Sequence, residues 1–415
     1  MTEKPIEYIK NLYAGSTQCE SFLHDFFARD ILDEARNFHK QIPGYRISPL
    51  KNLSNLASKL GLGGIWVKDE SDRLKLNSFK VLGGSYAVGK VIQSRLGTVD
   101  QPLSFSNLTA EKTHSQLGEI IFSAATDGNH GRGIAWAASQ LGYQSIIYVH
   151  KLTSRARIEA IERNGAKVVV VDGTYDDAVR QINVDSEKNG WQVISDTSWE
   201  GYEQIPRWVM QGYSTMISET QEQFAAQGLI KPSHIFVQAG VGALAGSVIG
   251  YYAELFGKNR PRSIVVEPSL APCLYESAVI GDGQPHSFEG ELNTIMAGLA
   301  CGDPNPLAWN ILRDYANYFV KCPDYVAAKG MRVYGLPLAN DPFIVSGESG
   351  AVTLGCLMFI MLWPGAEELR KRLHLEHNSQ ILLINSEGNT DPNHFRQVVW
   401  EGSKSVPHEY RYFRS

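Results

Sequence analysis

From residue 65 onward, short β-branched and aliphatic runs alternate with stretches whose apolar positions recur every three or four residues. The runs predict strands at 65–67, 120–124, 145–149, 167–171, 192–195, 234–238, 263–266 and 380–384. Between them, spacings such as Ile134, Ala137, Ala138, Leu141 predict helices. Strand and helix in alternation imply an α/β chain with largely parallel sheets covered by helices on both faces. Residues 1 to about 60 lack this pattern and read as a mostly irregular extension, either an arm on a partner subunit or a surface segment. No repeat or low-complexity linker interrupts the chain. In such folds ligands collect where strand C-terminal ends meet helix N-termini, so the chemistry is sought at those junctions.

Composition narrows the classes. At 415 residues the chain has room for two or three domain-sized units, and 43% hydrophobic with 20% charged residues fits a folded globular protein. The net charge is −5 and no basic tract stands out, which argues against nucleic acid and anionic membrane as partners. The start, Met-Thr-Glu-Lys-Pro-Ile-Glu, does not read as a secretory signal, and the longest apolar stretch, 357–363, is far short of the roughly 20 residues of a membrane span. Five cysteines, Cys19, Cys273, Cys301, Cys322 and Cys356, form no C-x-x-C pair, so neither a structural zinc nor a disulfide framework is expected. A reduced, cytoplasmic protein without a metal site is the expectation.

Four junctions carry candidate chemistry. In Asn77-Ser78-Phe79-Lys80-Val81-Leu82-Gly83-Gly84, a lysine stands just ahead of a helix opened by two glycines. It opposes the positive end of the helix dipole, so it is not a cap. It reads either as a solvated lysine or, among apolar Phe79, Val81 and Leu82, as an amine of lowered pKa able to attack a carbonyl. In Thr126-Asp127-Gly128-Asn129-His130-Gly131-Arg132-Gly133 the glycines permit close approach of a ligand and Asn129 offers an amide donor. Asp127 reads equally as a helix cap, and His130 as a supporting or packing residue. Gln238-Ala239-Gly240-Val241-Gly242-Ala243-Leu244 forms an anion cradle of N–H groups at a helix start, or a tight turn with no ligand. It lacks the ending of a P-loop, and alanine replaces the third glycine of a dinucleotide fingerprint. In Asn385-Ser386-Glu387-Gly388-Asn389-Thr390-Asp391 a hydroxyl could hydrogen-bond a heterocyclic nitrogen, or the segment is only a polar turn.

An amine nucleophile, an amide, a phosphate cradle and a neutral hydroxyl together make a receptor for pyridoxal 5'-phosphate. On these four segments and a fifth, Asp196-Thr-Ser-Trp-Glu-Gly-Tyr202, residues 46–391 resemble the pyridoxal-phosphate enzymes of fold type II, the tryptophan-synthase β-like group. Within them the chain resembles the diaminopropionate ammonia-lyases. The resemblance implies two open, twisted, mainly parallel sheets flanked by helices. It implies a large domain from 1–83 plus 202–415, a small domain at 84–201, the cofactor in the cleft between them, and a homodimer. It assigns Lys80 the Schiff base and Asn129 the ring oxygen. Gly240, Val241, Gly242, Ala243 and Leu244 take the phosphate, and Ser386 the ring nitrogen, where a neutral partner favours β-elimination over transamination. Ser346-Gly-Glu-Ser-Gly-Ala351 resembles a cleft-lining loop, and reads equally as a helix cap.

Serine and threonine dehydratases carry serine where Asp127 stands, glutamine at Arg132, and four glycines in the phosphate loop. All three departures fit the ammonia-lyase pattern, and a carboxylate gains far more beside a β-ammonium than beside a β-hydroxyl. The implied reaction converts 2,3-diaminopropionate to pyruvate and two ammonia. Lys80 serves as base for the L isomer, Asp127 for the D isomer, and Asp196 assists. A serine or threonine dehydratase-like lyase is the alternative within enzymes. A Rossmann-type nucleotide-binding protein with a structural Lys80 is the alternative outside them.

Overall fold

The computed structural model describes residues 3–15, 20–126, 128–173 and 175–411. The chain packs as two units, one from residues 1–25, 48–72 and 219–415, the other from 26–47 and 73–218.

The first unit is built on a seven-stranded sheet. Its strands are β1 (Glu7–Lys10), β2 (Leu50–Asn52), β3 (Gly64–Asp69), β8 (His234–Gln238), β9 (Arg262–Pro268), β10 (Tyr318–Cys322) and β11 (Gln380–Asn385), in the order β1-β10-β9-β8-β11-β3-β2. The five central strands are parallel, and β1 and β2 close the two edges antiparallel. Every residue of β3 and β8 is buried, as expected of parallel strands covered on both faces. Val67, Phe236, Ile264 and Leu383 on the sheet pack into one core with Val352, Cys356 and Ile360 of the helix Glu348–Leu362.

The second unit carries a four-stranded parallel sheet, β4 (Ile121–Ala125), β5 (Gln144–His150), β6 (Lys167–Val171) and β7 (Gln192–Val193), in the order β6-β5-β4-β7. Its boundaries differ from the 84–201 taken from the resemblance, since it also holds Lys80, 26–47 and 202–218. The buried His39 shows why. Its Nε2 donates to the Leu82 carbonyl at 2.9 Å and its Nδ1 accepts from the Thr215 hydroxyl at 2.7 Å, tying three separate stretches together.

The start of the chain is not irregular. It forms β1, β2 and the helices Glu20–Phe27, Arg29–Gln41 and Ser54–Leu60. In the second of these, Ala35, Phe38 and His39 recur at the helical three-and-four spacing and are buried, a pattern diluted by the charged residues around it. No single helix among the described residues is long and apolar enough to cross a membrane.

Candidate active site

In the second unit the helix begins at Lys80 itself, running Lys80–Arg95. Leu74, Lys75 and Asn77 just ahead of it adopt left-handed backbone, a strained turn of the kind that clusters at functional sites. Lys80 Nζ donates to Asp196 Oδ2 at 2.9 Å, with both side chains largely buried. Burial alone would raise the Asp196 carboxyl. The Lys80 ammonium outweighs it and holds the group well below the usual carboxylate range.

His130 Nδ1 lies 3.9 Å from Asp196 Oδ2. Its Nε2 sits 2.8 Å from the Ile194 carbonyl, which can only accept, so the proton is on Nε2 and Nδ1 carries a lone pair. Burial pushes the imidazole below the ordinary histidine value despite the nearby carboxylate. Asp196 and His130 therefore face each other with one vacant proton position between them. Asn129 opens the helix Asn129–Gln140, and its Oδ1 accepts from Arg132 at 2.9 Å, which fixes the orientation of its amide. Asp127 lies outside the described residues.

The second cluster lies in the first unit. The helix Ala243–Phe256 starts behind Gly242, whose φ of +102° favours glycine. The first N–H groups of a helix have no partner within it and point outward as an anion cradle, here along Gly240, Val241, Gly242, Ala243 and Leu244. Val241 is pinned through its carbonyl by Asn305 N at 2.7 Å. At the end of β11, Ser386 Oγ accepts from Gln238 Nε2 at 2.7 Å, so its own proton is directed elsewhere. Gln238 also precedes the cradle, and so couples the two predicted segments.

One group escaped the sequence reading, and a second was singled out only as part of the Ser346–Ala351 segment. The Tyr213 hydroxyl is buried without a hydrogen-bond partner among the described residues. Burial and then Asp196 push its ionisation up, which puts it within electrostatic range of the Lys80 pair. Ser349, in the first turn of the helix behind Gly347, has a buried Oγ with no hydrogen-bond partner among the described residues. A Cβ on Gly298 would stand 3.2 Å from that oxygen, and one on Gly240 3.3 Å from the Gly298 carbonyl. Nothing in the local pattern marks Tyr213, whereas Ser349 lies in the segment that the resemblance placed along the cleft.

A family model described as "Pyridoxal-phosphate dependent enzyme" matches residues 42–387. Diaminopropionate ammonia-lyase of Salmonella typhimurium is 47% identical over 371 residues, spanning 89% of this chain and 92% of that protein. The chain belongs to the pyridoxal-phosphate enzymes, among the diaminopropionate ammonia-lyases. Holo diaminopropionate ammonia-lyase from Escherichia coli superposes with a TM-score of 0.89 at 44% identity, covering 97% of this chain and 98% of that one. Threonine deaminase isoform 2 from Solanum lycopersicum, at 21% identity and a TM-score of 0.71, shares the fold. The fold is thus fold type II, and the nucleotide-binding alternative is set aside.

The residues present fit pyridoxal phosphate. The helix-start N–H groups suit its phosphate, and the Ser386 hydroxyl, with its oxygen already accepting from Gln238, suits a ring nitrogen. The amide of Asn129 suits the ring oxygen, and the Lys80 amine suits the aldehyde. The buried, unpartnered Ser349 Oγ beside the cradle leaves one further polar group for a ligand.

Proposed function

We propose that this enzyme takes both the D and the L isomer of 2,3-diaminopropionate, adding water and releasing pyruvate and two ammonia by α,β-elimination. The observation that carries the reading is Asp196, an ionised carboxylate 2.9 Å from Lys80, suited to a substrate bearing a second ammonium. The two diaminopropionate ammonia-lyases named above, from Salmonella typhimurium and Escherichia coli, support it.

Bound pyridoxal phosphate supplies an electron sink that makes the substrate α-proton acidic. The protein's own groups then handle the protons. Lys80, once neutral, takes the α-proton of the L isomer at Nζ. Asp127, placed by its motif, takes that of the D isomer from the other face. Asp196 holds the Lys80 ammonium in place, and with His130 Nδ1 offers a position for a proton in transit. The N–H cradle holds the phosphate, while Ser386 hydrogen-bonds the ring nitrogen without protonating it. This reading keeps a homodimer and a cytoplasmic location as its setting.

The test is pyruvate and ammonia release by the cofactor-supplemented enzyme on D- and L-2,3-diaminopropionate, L-serine and L-threonine. Two ammonia per pyruvate from both diaminopropionate isomers, with the hydroxy amino acids slow, is the expected outcome. Faster turnover of serine or threonine would make the chain a dehydratase.

A further inference from the structure

We infer that the first unit carries a second binding site, for a small organic anion with an apolar body, where the C-terminal segment crosses two helices. A cavity of about 270 Å³ opens between the helices Asp324–Gly335 and Glu348–Leu362 and residues 405–411. Three cations face it, Lys329, Arg332 and Arg411, and no acidic side chain among the described residues does. Buried Met358 and Phe359, with Leu362, give it an apolar base. None of these residues belongs to the candidate active site.

Among the described residues the cations have no counter-ion. No salt bridge among the described residues involves any of the three, and Lys329 makes no hydrogen bond among them either. Arg332 donates only to the carbonyls of Val398 and Ser403, and Arg411 to that of Val406 at 2.8 Å. The acid at the start of the same helix, Asp324, is already engaged by Lys404 at 2.9 Å and Thr294 at 2.6 Å. Lys329 and Arg332 are half-buried, with Arg411 exposed at the rim, and like charges so placed without an acid between them are costly unless an anion completes the site. Burial, with Arg332 beside it, holds the Lys329 ammonium below the ordinary lysine value, and burial likewise lowers Arg332.

The wall supplied by the C-terminal segment is packed. Tyr410 stacks on Tyr325 at 6.3 Å between centroids and meets Trp363 edge-on at 5.9 Å. The volume is just under the roughly 300–1,000 Å³ of small-molecule pockets, which limits the occupant to one ring or a short aliphatic chain. Its head is an oxyanion, carboxylate or phosphate, which an arginine–lysine cluster holds by charge-assisted hydrogen bonds.

Calorimetric titration of the holoenzyme with phenylpyruvate, phenyl phosphate and inorganic phosphate tests the site. Saturable binding of at least one ring-bearing anion is expected, about tenfold tighter than inorganic phosphate, and the tighter of the two names the head. Lys329→Met should weaken it about tenfold or more while diaminopropionate turnover stays unchanged. Leu362→Trp, which fills the cavity and keeps all three cations, should abolish it. No saturable binding of either ring-bearing anion overturns the inference, as does equal affinity for inorganic phosphate. Unchanged affinity in either variant also overturns it.

Discussion

Asp196→Asn is the sharpest test of the Lys80 pair, because it removes a charge and keeps the shape. At 2.9 Å and an effective dielectric of about 20, the lysine and carboxylate attract by about 6 kcal/mol before desolvation. With the two side chains only 21% and 11% exposed, losing one partner falls in the class of buried pairs whose breakage costs about 3–5 kcal/mol. The asparagine oxygen can still accept from Lys80, which recovers a neutral hydrogen bond of about 1 kcal/mol. The net deficit is a few kcal/mol at the group that must hold and pass the proton, consistent with the roughly 10²- to 10⁴-fold loss typical of a removed acid–base partner. Steady-state pyruvate release should therefore show kcat/KM for both isomers down by about 10²-fold or more. The cofactor should stay bound, as judged by its visible absorbance. A variant within about fivefold of the parent on both isomers would refute the pair as part of the proton machinery.

Four further outcomes are expected. Ser386→Ala removes the acceptor for Gln238 Nε2 and the hydroxyl assigned to the ring nitrogen; kcat should fall about tenfold with cofactor retained on dialysis. Tyr213→Phe deletes a buried, unpartnered hydroxyl, so thermal unfolding should show about 1 kcal/mol more stability while turnover drops; a lower Tm would contradict the reading. Gly133→Ala would place a Cβ 3.1 Å from the Val81 backbone and displace the start of the Lys80 helix; about 1–3 kcal/mol of stability and most activity should go together. Glu267, at the end of β9, is raised by burial from 4.5 to about 8, against the opposing N–H bonds of Leu274 and Tyr275. Its contribution is fully present below about pH 4.5 and lost as pH rises through about 8, at most about 5 kcal/mol, so Glu267→Gln should flatten the stability–pH curve in that window.

All eight strands anticipated from apolar runs form, because parallel strands buried on both faces leave uninterrupted β-branched sequence. The three missed strands each break that signal for a physical reason. Strands β1 and β2 are four- and three-residue antiparallel edges, half-exposed, with lysines at positions a buried strand would give to aliphatics. In β10 the half-exposed Lys321 interrupts the run, its ammonium reaching Glu276 at the surface. The missed N-terminal helices fail differently, since their apolar stripe is narrow and works only because His39 satisfies Leu82 and Thr215 far along the chain. No window of local sequence contains that pairing.

The glycine-rich junction after β4 is a different case, where the expectation was useful for a reason other than the one it gave. Its glycines suggested close approach of a ligand, yet a Cβ on Gly131 would stand 2.4 Å from the Thr126 side chain, and one on Gly133 3.1 Å from the backbone of Val81. Gly84 does the same from the other helix, where a Cβ would stand 3.0 Å from Ile134. Gly84 and Gly133 let the helices Lys80–Arg95 and Asn129–Gln140 close on each other, and that contact sets where Lys80 and Asn129 emerge. A motif that presents an amine and an amide must therefore carry glycines whether or not any glycine meets the ligand. The reactive side chains are legible because packing constrains their neighbours. Tyr213, whose neighbours come from distant segments, leaves no comparable trace in the sequence.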